Sequence, residues 1–196
     1  MNLIVLTAPS GAGKTTLARR VMAEVPGLRF SVSATTRSAR PGETDGVDYF
    51  FLSVGAFNEQ IEADGFVEYE EVYPGRFYGT LRSQLEVAAS EASGEGGAVV
   101  LDIDVMGALN VKRLYGDDVL TLFIAPPSLE TLETRLRSRG TESEERIRVR
   151  LDRAEMEMSH ASDFDHVIVN DDLDTAVAQT VALVRGFLSR RAPATQ

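Results

Sequence analysis

The chain has 196 residues, room for one domain of about 150 residues with an inserted lobe or lid. Apolar residues make up 43% and charged residues 26%, which excludes a disordered or fibrous chain and leaves enough apolar material for a sizeable core. Without any cysteine, disulfides, thiolate metal sites and cysteine nucleophiles are excluded, and a net charge of −10 argues against nucleic acid as the partner.

Leu3 to Thr7 is a short apolar run ending in Pro9, Gly11 and Gly13, and Thr16 to Val25 then reads as a helix closed by Pro26 and Gly27. The apolar run is too short, and lacks the basic flank, for a secretory signal or membrane span, so a cytoplasmic protein without a membrane partner is expected. From Ser31 to about Leu81 the rhythm changes. Thr, Gly, Tyr and Phe are frequent there, and strand-like pieces at Val47 to Leu52 and Phe66 to Glu71 predict an inserted antiparallel unit. Ala98 to Val105 (AVVLDIDV) predicts a second buried strand, Leu120 to Ala125 a third stopped by Pro126 and Pro127, and Val167 to Val169 a fourth. Ser128 is placed to cap a helix over Leu129 to Ser138, and Thr141 with Glu144 forms a capping box for a helix reaching about Ser159. Val177, Val181, Val184 and Leu188 lay an apolar stripe along the last helix, and the tail from Arg190 is expected to fray. Strands alternating with helices predict an α/β fold of three layers, a mostly parallel sheet with helices on both faces.

Ala8-Pro-Ser-Gly-Ala-Gly-Lys14-Thr15, between the first strand and helix, is a Walker A phosphate loop with Ala8 in place of the usual first glycine. Gly11 and Gly13 let backbone N–H groups turn around a phosphate, the helix end adds its positive dipole, Lys14 reaches the β and γ phosphates, and the Thr15 hydroxyl can ligate Mg²⁺. A P-loop NTPase core follows. A second constellation, Ser33 to Tyr49, carries Arg37 and Arg40 among hydroxyls; taken alone it is either a second phosphate site or a solvated turn. Further on, seven of the 20 basic residues crowd between 135 and 153, with Arg146, Arg150 and Arg153 on one helix face beside an apolar face of Ile147, Leu151, Ala154 and Met158. Such a local excess in an acidic chain points to a small polyanion.

In this order the motifs resemble guanylate kinase, a nucleoside monophosphate kinase family that phosphorylates GMP with ATP, over essentially the whole chain. Beside the phosphate loop, Ser33 to Tyr49 resembles the family's monophosphate signature and Phe66-Val-Glu68-Tyr its guanine-reading segment. Phe77-Tyr78-Gly79-Thr80 resembles the next loop, Leu101-Asp102-Ile-Asp104-Val-Met-Gly107-Ala a Walker B-like strand, and Arg135 to Thr141, Arg150-Leu and Val169-Asn170-Asp171 the lid and adenine-side elements.

The resemblance implies that Ser10, Gly11, Ala12, Gly13, Lys14, Thr15 and Thr16 bind the ATP phosphates, that Arg135 and Asn170 border the adenine, and that Thr15 meets Mg²⁺. It implies that Ser33, Arg37, Arg40, Tyr49 and Tyr78 hold the GMP phosphate, and that Glu68, Thr80 and Asp104 face guanine with Asp102 nearby. Which of the two aspartates touches the base stays open. Lys14, Arg40, Arg139 and Arg150 would carry the catalysis. The implied reaction is Mg²⁺-dependent transfer of the ATP γ-phosphoryl group to GMP, and to dGMP, in guanine nucleotide synthesis and recycling. The implied layout is a core of residues 1–32, 82–125 and 160–196, a GMP-binding insert of 33–81 and a helical lid of 126–159. One departure is the loop Tyr73 to Tyr78, one residue longer than the family's usual spacing from the guanine-reading glutamate. Two alternatives are a catalytically silent interaction module on the same fold and a related kinase with another phosphorylated acceptor; the oligomeric state, monomer or homo-oligomer, is left undetermined.

Overall fold

A computed structural model describes residues 1–92, 97–138 and 143–191. Its main sheet has five parallel strands in the order β2 (Leu28–Phe30), β7 (Ala98–Asp102), β1 (Leu3–Thr7), β8 (Val119–Ala125), β9 (His166–Val169). Because successive side chains of a strand alternate between faces, each strand supplies two cores. Ile4 and Leu6 of β1 join Leu17 and Val21 of α1 (Lys14–Glu24) and Val177, Val181, Val184 and Leu188 of α7 (Leu173–Ser189) on one side. On the other, Leu3 and Val5 pack with Leu85 and Ala88 of α3 (Arg82–Glu91) and Val105, Ala108 and Val111 of α4 (Val105–Tyr115). This is the three-layer α/β arrangement that the alternation of elements predicts.

A second sheet of four strands, β4 (Phe50–Phe51), β3 (Ala34–Thr35), β6 (Arg76–Leu81) and β5 (Phe66–Tyr73), pairs β5, β6 and β3 antiparallel and β3 with β4 parallel. It rests on α2 (Val54–Glu62) through its own small core, where the buried Phe57 ring stacks on Phe66 at 4.4 Å and leans on Phe77 at 5.5 Å. The β5–β6 hairpin turns at Pro74-Gly75, with Gly75 at φ +73° as the third residue of such a tight turn requires. Its ladder shifts register between Phe66 and Glu68 and again between Glu71 and Tyr73, and Glu68 stands opposite Thr80. α5 (Leu129–Ser138) and α6 (Glu144–Ser159) form a helical pair closed by Leu132, Leu136, Ile147 and Ala154.

Several expectations are corrected. The run Ala98 to Val105 stops as a strand at Asp102, because the Asp104 carboxylate accepts from the Gly107 N–H at 2.9 Å and caps α4. Between Val47 and Leu52 only Phe50–Phe51 are strand, since the Asp45 and Asp48 carboxylates accept from the Phe51 and Thr44 N–H groups and hold the chain in turns. α6 starts under a Ser143 cap, whose hydroxyl accepts from the Arg146 N–H at 3.4 Å, rather than under Thr141, which lies outside the described residues. α1 begins at Lys14 instead of Thr16, and the three-residue edge strand β2 is an addition to the four strands expected.

With its ring filling the small core, Phe57→Ala should cost about 3–5 kcal/mol. Urea unfolding with amide exchange checks this: β3, β5 and β6 should lose protection well before β1, β7 and β8.

Candidate active site

Parallel strands deliver the loops that follow them to one edge of the sheet, and in this chain the loops after β1 and β7 lie side by side, with Leu6 in register with Asp102. The loop after β1 turns on Gly11 at φ +105° and Gly13 at φ +95°. Gly13 occupies the helix-cap position with no side-chain cap, so the first N–H groups of α1 are left to an anion. Asn170, at the end of β9 and only 5% exposed, lies beneath this turn and donates its side-chain amide to the Ala12 carbonyl at 2.7 Å. A Cβ on Gly13 would stand 2.5 Å from that amide, which makes glycine obligatory on two counts. Arg135 of α5 donates to the Asn170 carbonyl at 3.0 Å.

Lys14 donates to the Ile103 carbonyl at 3.1 Å and pairs with Asp102. Burial works against the ammonium, but the Asp102 carboxylate outweighs it and holds the lysine above its usual range. Across the cleft, Arg37 grips Glu43 with both guanidinium arms at 2.6 and 2.7 Å, and Glu43 accepts also from the Arg40 N–H at 2.7 Å. The Arg37 contact pulls the Glu43 carboxyl down to about 2. The guanidinium of Arg37 also lies 4.9 Å from the Tyr49 ring, which meets Tyr78 edge-on at 6.0 Å. These aromatic faces orient the cation toward the cleft.

Glu68 of β5 is the buried carboxylate of the site, 6% exposed, and accepts from the Thr80 hydroxyl at 2.6 Å. Burial, aided by Asp104, pushes its pKa up to about 7 despite that bond. The other carboxylate oxygen faces Gly107, where a Cβ would lie 2.4 Å away. On α6, Arg150 donates to the Ser10 hydroxyl of the phosphate loop at 3.1 Å.

One cavity of about 310 Å³ gathers these groups. Of the residues named from sequence, Ser10, Gly11, Gly13, Lys14, Thr15, Thr16, Ser33, Arg37, Arg40, Tyr49, Glu68, Tyr78, Asp102, Asp104 and Arg150 line it. Ala12, Thr80, Arg135 and Asn170 do not, and the last three support it from behind through the hydrogen bonds above. Arg139 lies outside the described residues. Asp102, the last residue of β7, stands against Lys14, and Asp104 reaches the cavity from the cap position before α4. Sequence reasoning gave no site role to Tyr73, Arg76 and Glu157 of the wall or to Glu43 behind Arg37, and it placed Arg153 only as one member of a cationic helix face. The available signals were Glu43 three residues after Arg40 and Glu157 one helical turn after Arg153.

Comparison with known proteins agrees with this geometry. The family model for guanylate kinase matches residues 1–185. The chain belongs to the guanylate kinase family. A guanylate kinase of Salinibacter ruber is 61% identical over 96% of this chain and 97% of its own length, and one of Chlorobium luteolum 47% identical over 96% and 93%. The crystal structure of guanylate kinase from Anaplasma phagocytophilum superimposes with a TM-score of 0.76 at 32% identity, covering 94% of this chain and 85% of that one.

Removing the strut beneath the loop tests how it is held. Asn170→Ala loses a buried hydrogen bond of about 1 kcal/mol and leaves the Ala12 carbonyl unpaired. Calorimetric titration with ADP should find binding weakened about tenfold, with the melting temperature lowered by only a few degrees.

Proposed function

We propose that this guanylate kinase family member transfers the γ-phosphoryl group of ATP to GMP, and to dGMP, yielding ADP and GDP. The observation that carries the reading is the buried Glu68 facing the same cavity as Lys14 and the phosphate loop. Guanine presents N1–H and N2–H₂ side by side, two donors that an ionised carboxylate accepts together. Adenine presents an acceptor at N1 and would leave Glu68 facing a lone pair in a desolvated site, a mismatch worth ~10⁴-fold in comparable pockets. Behind the base, Ser33, Arg37, Arg40, Tyr49 and Tyr78 supply the cations and hydroxyls for the GMP phosphate, with Glu43 fixing the fork of Arg37.

The donor triphosphate rests on the N–H groups of Ser10 to Thr16, with Lys14 leaving Asp102 for the phosphates. A GMP phosphate oxygen attacks the γ-phosphorus as the bond to the β–γ bridging oxygen breaks, and ADP carries away the negative charge. Arg40, Arg139 and Arg150 offset that charge, and Arg135 with Asn170 borders the adenine. Mg²⁺ would neutralise the β and γ oxygens, and hard oxygen donors suit it: Thr15, whose hydroxyl would hold the ion, and Asp102 both line the cavity. In the same reading the insert of 33–81 and the lid of 126–159 close over a core of 1–32, 82–125 and 160–196, excluding water. A cytoplasmic location, where ATP and GMP are found, belongs to the proposal; among the described residues no helix is long and apolar enough to cross a membrane.

Coupled ADP release across GMP, dGMP, AMP, CMP and UMP tests the activity. Turnover with GMP and dGMP alone is expected; none with any acceptor would leave an interaction module, and preference for another base would reassign the acceptor. The titration of Glu68 gives a second readout. Base recognition needs its carboxylate ionised, and its pKa in the empty site is pushed up to about 7. GMP binding should therefore weaken as pH falls from 8 to 6 and level off above 7.5. Glu68→Gln should lose at least ~100-fold in kcat/KM for GMP and lose the part of the pH slope above 6.5, leaving the GMP phosphate's own ionisation near 6.

A further inference from the structure

Arg153 and Glu157 line the cavity wall but have no part in the phosphate or base contacts above. Glu157 is 5% exposed, an unusual burial for a carboxylate, and accepts from the Arg153 Nε at 2.8 Å. The other arm of Arg153 leaves the helical pair and donates to the backbone carbonyl of Val72, while its guanidinium lies 5.4 Å from the Tyr73 ring. Val72 and Tyr73 close β5, the strand that carries Glu68 four residues earlier. One turn before Arg153 on α6, Arg150 reaches Ser10 of the phosphate loop. α6 thus touches the acceptor hairpin and the donor loop at once, and its apolar face is seated on α5.

We infer that Arg153, anchored by Glu157, is a positioning residue that couples the base-binding hairpin to the lid helix, so that a filled acceptor pocket sets Arg150 over the donor phosphates. The inference rests on the kinase reading above. Coupling requires an element that both sites bias. A carbonyl at the hairpin end is such a lever, since a base held by Glu68 fixes the strand and with it the Val72 acceptor. A rigid two-point bridge suits arginine, whose planar fork serves Glu157 and Val72 together, whereas lysine has one nitrogen to offer. The contact joins parts that do not adjoin in sequence, 81 residues apart, so it constrains their relative placement rather than the helix itself.

The test titrates GMP calorimetrically with and without saturating ADP, alongside steady-state kinetics and thermal melts. In the parent, ADP should strengthen GMP binding, on the scale of about 5- to 100-fold typical of coupled sites. Arg153→Ala should keep GMP affinity without ADP within about twofold, abolish most of the ADP effect, and lower kcat about tenfold more than it raises KM. Arg153→Lys should recover only part of both. The inference is overturned if ADP leaves parental GMP affinity unchanged, if the coupling survives in Arg153→Ala whatever the rate does, or if lysine restores it fully. It is equally overturned if Arg153→Ala melts far below the parent or loses GMP binding without ADP, since the residue is then scaffold. Absence of GMP turnover in the parent would instead remove the kinase reading, which keeps the two failures apart.

Discussion

The parallel pairing of β1 with β7 is the constraint on which the site depends. Because both strands run the same way, their ends open on the same edge, and the lysine that follows one meets the aspartate that closes the other. That pair stands at the floor of the cavity. The glycine turn, the uncapped start of α1 and the Asn170 strut are arranged around it, and the second sheet brings its own carboxylate to the opposite wall. Parallel strands need long crossovers, and the crossover after β2 contains the whole of the second sheet. The sheet that carries Glu68 and Tyr78 is thus housed inside a connection the core topology already required.

Electrostatics divide the labour in a chain of net charge −10. The acidic surplus lies largely on outward faces, whereas Lys14, Arg37, Arg40, Arg76, Arg150 and Arg153 converge on one cavity. Carboxylates inside it are few, and their partners differ. Asp102 and Glu157 are matched by cations, but Glu68 has only the hydroxyl and backbone N–H of Thr80 against the repulsion of Asp104. Its carboxyl, near 7 instead of 4.5, makes the ionised empty site costly, on the order of 3 kcal/mol. A ligand that brings N–H donors to this carboxylate would relieve that cost.

Much of this was readable from the chain because the signals were local. Gly11, Gly13 and Lys14 mark the loop, Pro126 and Pro127 end β8, Ser128 caps α5, and valines four and three apart define the buried face of α7. What escaped depends on distance or on competition. β2 is three residues long and gains its identity only from pairing with β7, 70 residues onward. Asp104 continues an apolar alternation by composition, yet its carboxylate prefers the N–H of Gly107 and ends the strand. In sequence Arg153 is one member of a cationic helix face, and nothing near it announces the Val72 carbonyl. The residues carrying the resemblance could be named in advance, whereas those holding them in place belong to tertiary contact.

Gly107 shows how far the pocket depends on an atom that is missing. In the first turns of a helix alanine would ordinarily be preferred, by up to about 1 kcal/mol. At this position the added methyl would fall within 2.4 Å of the Glu68 carboxylate, the flexible end of a side chain that can swing aside. The scaffold would tolerate the change, but the Glu68 carboxylate would be displaced from its place in the cavity wall. Heat-hardening this protein by filling its helical glycines would therefore trade the shape of that wall for robustness.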